Sequence, residues 1–260
     1  MSDASDTSGT LQIRPINSVE ELDAVAHLRY QVYVNELGRH PAECDDDRQR
    51  LEDPEDAVSI VLGAFDNDTL VGTFRITPVD QLTDDSSWCE IYENNKFPVA
   101  PAQQFIFSRM IATNTFRDKG LASLFFKAAF DCIRQGGGEL AFLHCPSHLV
   151  SLYEVMGFRR YVPGFVHEEA GFRIPMVMIT GDWGHFESVK SPLLSQVMQY
   201  PPNVSLGDWF EQSFPAHSKP GSVRVLAIDE FLKQFDDRLM DSSIPLLDDL
   251  NGEEKQQLFL

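Results

Sequence analysis

The segment Arg117-Asp118-Lys119-Gly120-Leu121-Ala122 joins an apolar run, Phe105 to Ala112 (FIFSRMIA), to an amphipathic run, Leu121 to Ile133. The first run reads as a strand and the second as a helix with one apolar face. A strand that turns into a helix through glycine leaves backbone N–H groups unpaired at the helix start, all pointing one way. Such an end carries partial positive charge and binds phosphate oxygens. Gly120 allows close approach of a ligand to the backbone, and Ala122 keeps the next turn narrow. The segment reads either as a pyrophosphate-binding loop or as an ordinary strand–loop–helix connection.

A second segment bears on that choice. Glu139 to Cys145 (ELAFLHC) is a short apolar strand. Ser147 to Gly157 (SHLVSLYEVMG) reads as a short helix, with Ser147 as N-cap and Gly157 just past the C-terminus. Phe158 to Tyr161 then opens another strand. This order resembles the GNAT acyltransferase superfamily. Arg117-x-x-Gly120-x-Ala122 resembles its acyl-CoA pyrophosphate loop, and Tyr153-Glu154-x-x-Gly157-Phe158 resembles its Tyr-Glu-x-x-Gly-Phe segment. The resemblance spans roughly Leu11 to Trp183. It implies that acyl-CoA lies along Ile111, Thr113, Arg117, Asp118, Lys119, Gly120, Leu121 and Ala122.

Residues of the first half are similar to those of acyl-homoserine-lactone synthases and N-acyl amino acid synthases. Arg29-x-x-x-Tyr33 resembles their Arg-x-x-x-Phe/Tyr helix, Gly72-x-x-Arg75-x-x-Pro78 their Gly-x-x-Arg-x-x-Pro strand, and Ser108-Arg109 the pair on their central strand. Asp53 resembles an acidic residue that meets the arginines in those families. The resemblance implies that Arg29, Tyr33, Asp53 and Ser108 bind substrate and that Arg75 and Arg109 act with Tyr153 in catalysis. Arginines on a sheet interior must meet carboxylates or substrate oxygens. Arg29, Arg75, Arg109 and Asp53 are therefore expected in one charge network, serving either the site or only the docking of the first helix. Lactone synthases carry Glu two residues before the Ser-Arg pair, where this chain has Ile106. They also commonly lack the Tyr-Glu-x-x-Gly-Phe helix present here. The chain therefore sits beside the N-acyl amino acid synthases and general acyltransferases.

The implied chemistry is attack of an amine on a thioester carbonyl. The oxyanion needs a donor, in the superfamily a backbone N–H of the strand before the loop, here around Ile111 to Thr113. Tyr153 stands where a phenol protonates the leaving thiolate, or is a core tyrosine on an amphipathic helix. Glu43, Glu90 and Glu93 are candidate bases. The expected function is an N-acyltransferase taking its acyl group from CoA or an acyl carrier protein and passing it to a small amine such as an amino acid. The 19 Phe residues point to a fatty acyl chain. The alternative is a non-catalytic acyl-CoA sensor regulating an attached or partner module.

Composition narrows the partners. A formal net charge of −19 excludes nucleic acid, which needs a basic face. Positive charge is nevertheless grouped in Arg109, Arg117, Lys119, Lys127, Arg134, Arg159 and Arg160, expected around the site. No apolar run reaches membrane-span length and no signal peptide precedes the acidic start, so a cytoplasmic protein is expected. Cys44, Cys89, Cys132 and Cys145 show no metal-ligand spacing and are expected as reduced thiols, with no metal site. His144 and Cys145 are expected to be structural, the Cys buried at the end of its strand.

The expected fold is an α/β mixed sheet flanked by helices, with a helical C-terminal extension. Residues 1–10 are expected to be a disordered tail, 11–183 the acyltransferase domain, and 184–260 the extension. Ser18 with Glu21 is a capping-box pattern, for a helix that continues or re-forms through Tyr33 to Gly38. Ala57 to Phe65 and Thr69 to Val79 read as a hairpin, Asp80 to Pro101 as a long loop, and Tyr161 to Thr180 as a last hairpin. Helical spacing recurs over His185 to Tyr200 and Ile228 to Met240. Ser243 to Leu258 resembles the opening helix-turn of cyclic-nucleotide-binding domains.

Overall fold

The computed structural model describes residues 11–83, 86–117, 120–167 and 170–215. The expected tail, the site residues Asp118 and Lys119, the helix over Ile228–Met240 and the Ser243–Leu258 segment lie outside the described residues.

Strand β1 (Leu11–Pro15) leads into helix α1 (Val19–Tyr30). The Ser18 side chain accepts the Glu21 N–H at 3.1 Å, as the capping pattern predicts, while the Glu21 carboxylate accepts the N–H of Asn17 at 2.9 Å. The helix continues as a wider π turn over Gln31–Glu36, which carries Tyr33. A small ribbon, β2 (Cys44–Asp45) and β3 (Arg50–Leu51), follows. The expected strand at Ala57 starts later, because Pro54–Val58 forms a 3₁₀ turn with proline at its start. β4 (Ile60–Asp66) and β5 (Thr69–Pro78) then pair as the expected hairpin, with Asn67 at φ 54°.

The expected long loop contains a helix, α2 (Ser87–Tyr92), whose Tyr92 is buried. Strand β6 (Gln104–Ala112), helix α3 (Leu121–Gln135) and strand β7 (Leu140–Cys145) follow the predicted order. Ser147 does not cap a helix; it lies inside a 3₁₀ turn, Ser147–Leu149, that leads into α4 (Val150–Met156). Gly157 ends α4 at φ 106°, and a Cβ there would come within 2.4 Å of the Phe186 ring. β8 (Phe158–Arg160), β9 (Phe165–His167) and β10 (Gly171–Ile179) complete the sheet. Helices α5 (Trp183–Ser188), α6 (Leu194–Val197) and α7 (Val204–Ser213) follow.

The main sheet has the order β1-β4-β5-β6-β7-β10-β8, with β9 paired to β10. Only β6 and β7 pair in parallel among the described strands. It is the expected mixed α/β architecture. One face packs on α3, through Phe125, Phe126 and Phe130, and on α4. Full burial of one such ring contributes about 1.5–3 kcal/mol. Phe186 of α5, Val197 of α6 and Leu193 between them join that core, while Leu206 and Phe210 of α7 join the core on the other face. Residues 184–215 thus pack directly on the sheet.

Candidate active site

The parallel pairing of β6 with β7 covers only Gln104↔Leu140, Phe105↔Ala141 and Ile106↔Phe142. Beyond Ile106 the two strands separate. Ser108, Arg109 and Met110 are therefore partly exposed in the middle of a sheet whose flanking positions, Phe107 and Ile111, are buried. A bulge sits at the same place. The register against β5 shifts between Thr73↔Ile111 and Arg75↔Ser108, so that Arg109 and Met110 together face one β5 residue. Arg109 takes φ 53°, a left-handed backbone that bends the strand and aims its side chain.

That side chain meets Asp53. Arg109 donates from Nε to Oδ2 and from Nη2 to Oδ1, both at 2.7 Å. Arg75 and Arg29 reach the same carboxylate from Nη1, at 3.1 and 3.3 Å. Asp56 accepts from both Nη atoms of Arg29, and Glu55 stands 3.5 Å from Arg75. Arg75 Nε donates to Ser108 Oγ at 3.0 Å. The predicted network forms, with Asp56 and Glu55 added, and three cations face three carboxylates. Burial favours a neutral Asp53, but Arg109, Arg75 and Arg29 outweigh it and hold its pKa below the ordinary value. Burial likewise opposes the charge on Arg109, and Tyr33 and Asp53 overcome it, raising its pKa. The Arg109 guanidinium lies 5.2 Å from the centroid of the Tyr33 ring. Arg29 has no exposed side-chain surface, whereas Arg109 keeps 20%, which makes Arg109 the member that faces the opening.

Downstream, Gly120 caps α3 at φ 71°, and nothing lies within 4 Å of the position its Cβ would take. The N–H groups of Leu121 and Ala122 open the first turn of a helix of 15 residues. Arg117 donates from Nε to the carbonyl of Ala112 at 3.2 Å and pairs with Glu36, tying the loop to the π turn. The ladder narrows the expected oxyanion donors, Ile111 to Thr113, to one N–H. Thr113 N–H donates to Val71 O at 2.8 Å, which makes that pair a hydrogen-bonded one. Alternation along an antiparallel ladder then turns Ile111 N–H toward β5 as well, through its partner Thr73. Ala112, between them, faces away from β5 toward the opening.

Tyr153 is buried on α4 between Phe126 and Phe158, with ring centroids at 6.0 and 5.8 Å. Burial raises its pKa, with Cys145 and Tyr33 adding to the effect. The phenol thus stays protonated at neutral pH and is a hydrogen-bond donor. Cys145 is inert: it is buried, its thiol is pushed up to about 12 by burial, and it contacts Met176 Sδ at 3.6 Å. All four cysteines are free thiols.

His144, expected to be structural, sits in an aromatic cluster that sequence reasoning missed. Trp88 stacks on it at 5.4 Å, Phe165 meets it edge-on at 5.4 Å, and His167 lies at 5.9 Å. Tyr92 Oη bonds its Nδ1 at 2.9 Å. Burial, with Arg173, His167 and Arg109, lowers its pKa to about 3. Trp88 Nε1 also donates to Glu55 at 3.3 Å, which joins the aromatic cluster to the charge network. Its one legible signal was the polar residue in an otherwise apolar strand. Ile106, where lactone synthases carry Glu, is buried in the same core as Tyr92 and Phe142. Of the candidate bases, Glu43 and Glu90 are exposed and Glu93 pairs with Lys96 at 2.5 Å. The expected basic grouping around the site dissolves in part: Arg134 pairs with Glu139, Arg159 with Asp182 and Arg160 with Glu154. Among the described residues no group of His, Cys, Asp and Glu has the geometry to hold a metal, and no helix is long and apolar enough to cross a membrane.

Residues 28–127 match the acetyltransferase (GNAT) domain family. The match places a GNAT acetyltransferase-type domain within residues 28–127. That match contains the charge network, the bulged strand, the loop before α3 and the first turns of α3. Among solved structures the GNAT fold is shared with BjaI, a CoA-dependent acyl-homoserine lactone synthase, at 15% identity over 75% of this chain and 92% of that one, with a TM-score of 0.56. MesI, another CoA-dependent acyl-homoserine lactone synthase, aligns at 14% identity over 82% and 98% of the two chains, with a TM-score of 0.55. FeeM, an N-acyl amino acid synthase from uncultured soil microbes, aligns at 14% identity over 73% and 99%, with a TM-score of 0.52. At these identities the likeness is one of fold. No curated protein matches the sequence.

Proposed function

We propose that this GNAT domain transfers an acyl group from a CoA thioester to the amine of a small molecule such as an amino acid. The observation that carries this reading is the separation of β6 from β7, which opens the sheet between the α3 start and the Asp53–Arg109 pair. The pyrophosphate would lie on the N–H groups that open α3, where Gly120 leaves space. The amine nitrogen attacks the thioester carbonyl carbon. The resulting oxyanion meets the Ala112 N–H, and collapse breaks the C–S bond. Tyr153 protonates the departing thiolate, and the proton lost by the amine restores the phenol. The products are an amide and free CoA. The Asp53 network keeps Arg109 fixed at the opening, where its donors can orient the acceptor.

The aromatic lining of the cleft suits a fatty acyl chain, and an acyl carrier protein is the alternative donor. The CoA-dependent synthases and FeeM support the reading by their fold. Thiol release from acyl-CoA substrates of increasing chain length, against a panel of amines and amino acids, tests it. Amine-dependent thiol release is expected. Acyl-CoA binding without release for every amine would replace it with the sensor function.

A further inference from the structure

We propose that Arg173 forms an anion subsite in this cleft and takes the carboxylate of the amine acceptor. Arg173 stands opposite Phe165 on β9, and the next residue, Ile174, pairs with Cys145 of β7. It thus lies where β7, β9 and β10 meet, on the sheet positions that also carry the aromatic cluster. The residue is only 8% exposed. Its one hydrogen bond among the described residues runs from Nη1 to the carbonyl of its neighbour Phe172, at 2.8 Å. No described carboxylate reaches it. The other buried arginines are matched: Arg29 and Arg75 by Asp53 and Asp56, and Arg159 by Asp182 at 2.7 Å.

A buried guanidinium without a counter-ion is costly, and proteins pair such groups. Arg39 stands near enough to add to the positive potential, and burial together with Arg39 pulls the Arg173 pKa down to about 10. The same charge reaches Tyr33, Tyr153 and His144. The Arg173 charge is thus felt both by Tyr153 and by His144 of the aromatic cluster. A guanidinium offers forked donors that fit a carboxylate in two parallel hydrogen bonds. An amino acid held by its carboxylate on Arg173 would turn its amine toward the opening at Arg109. The proposal rests on the acyl-transfer reading only for the identity of the ligand; the buried charge, without a carboxylate among the described residues, is independent of it.

The test compares two probes on the full chain by calorimetry: N-dodecanoyl-phenylalanine and N-dodecanoyl-phenethylamine, which differ by the carboxylate. The acid is expected to bind about tenfold tighter or more, the scale of a charge-assisted hydrogen bond. Arg173→Gln should abolish that preference and leave the affinity for the phenethylamide unchanged. Its melting temperature should stay level or rise, because a buried cation with no described counter-ion is removed. A structural arginine would instead lower it. Equal binding of the two probes by the wild type, or a preference kept in Arg173→Gln, overturns the subsite. A preference of the wild type for succinyl-CoA over butyryl-CoA that disappears in Arg173→Gln would place the anion on the donor and also overturn it. Absence of thiol release with every amine defeats the proposed transferase function, while the probe comparison still reads the subsite.

Discussion

Asp53 grips Arg109 with two parallel hydrogen bonds of 2.7 Å, across 56 residues of sequence. The same Asp53 Oδ2 also serves Arg29 and Arg75, so one carboxylate fixes the first helix, the hairpin strand and the bulged central strand together. Removing its charge leaves buried cations undercompensated. Asp53→Asn is expected to destabilise the fold by about 3–5 kcal/mol, the usual range for breaking a buried pair. Urea denaturation of the variant measures this; a loss below about 1 kcal/mol would show that Asp56 and Glu55 suffice alone.

Acid should weaken the fold well above the carboxylate range. The His144 pKa is lowered to about 3 by burial, and that of His185 also to about 3. In the unfolded chain both bind a proton near pH 6.5. Between about pH 6.5 and 3 the unfolded state therefore holds more protons, and stability rises with pH across that window. Each histidine contributes a slope on the order of 1 kcal/mol per pH unit. His144→Gln should lower the slope measured by urea unfolding between pH 6 and 5 by about 1 kcal/mol per pH unit. An unchanged slope would mean that His144 titrates alike in both states.

Gly120→Glu places a carboxylate where the α3 amides point and where a Cβ meets open space. Calorimetry should show loss of acyl-CoA binding. The left-handed φ of 71° costs the new side chain about 1–2 kcal/mol, too little to unfold the domain. Wild-type affinity in this variant would remove the pyrophosphate from the α3 start.

Tyr153→Phe keeps the ring against Phe126 and Phe158 and deletes only the hydroxyl. Turnover should fall about a hundredfold, the lower scale of general acid assistance, at unchanged thioester affinity. Steady-state thiol release decides it; wild-type turnover would make Tyr153 a packing residue.

Local pattern carried the elements. Ser18 announced its helix and Gly120 the strand-to-helix junction, because each depends on backbone preferences within a few residues. The resemblance of Arg29, Arg75 and Arg109 to known motifs was enough to predict that they share Asp53, since charges in a sheet interior must find partners. Tertiary structure alone decided which groups are left over. Asp56 and Glu55 join the network, Arg134, Arg159 and Arg160 leave the expected basic surface, and Arg173 remains buried with no carboxylate among the described residues. It also turned Ala112, rather than Thr113, toward the opening, through the alternation set by the Val71 pairing. Periodicity reports which face of an element is apolar. Partners, ladder phase and unmatched charge depend on segments far apart in sequence, so they exist only once the sheet has closed around them.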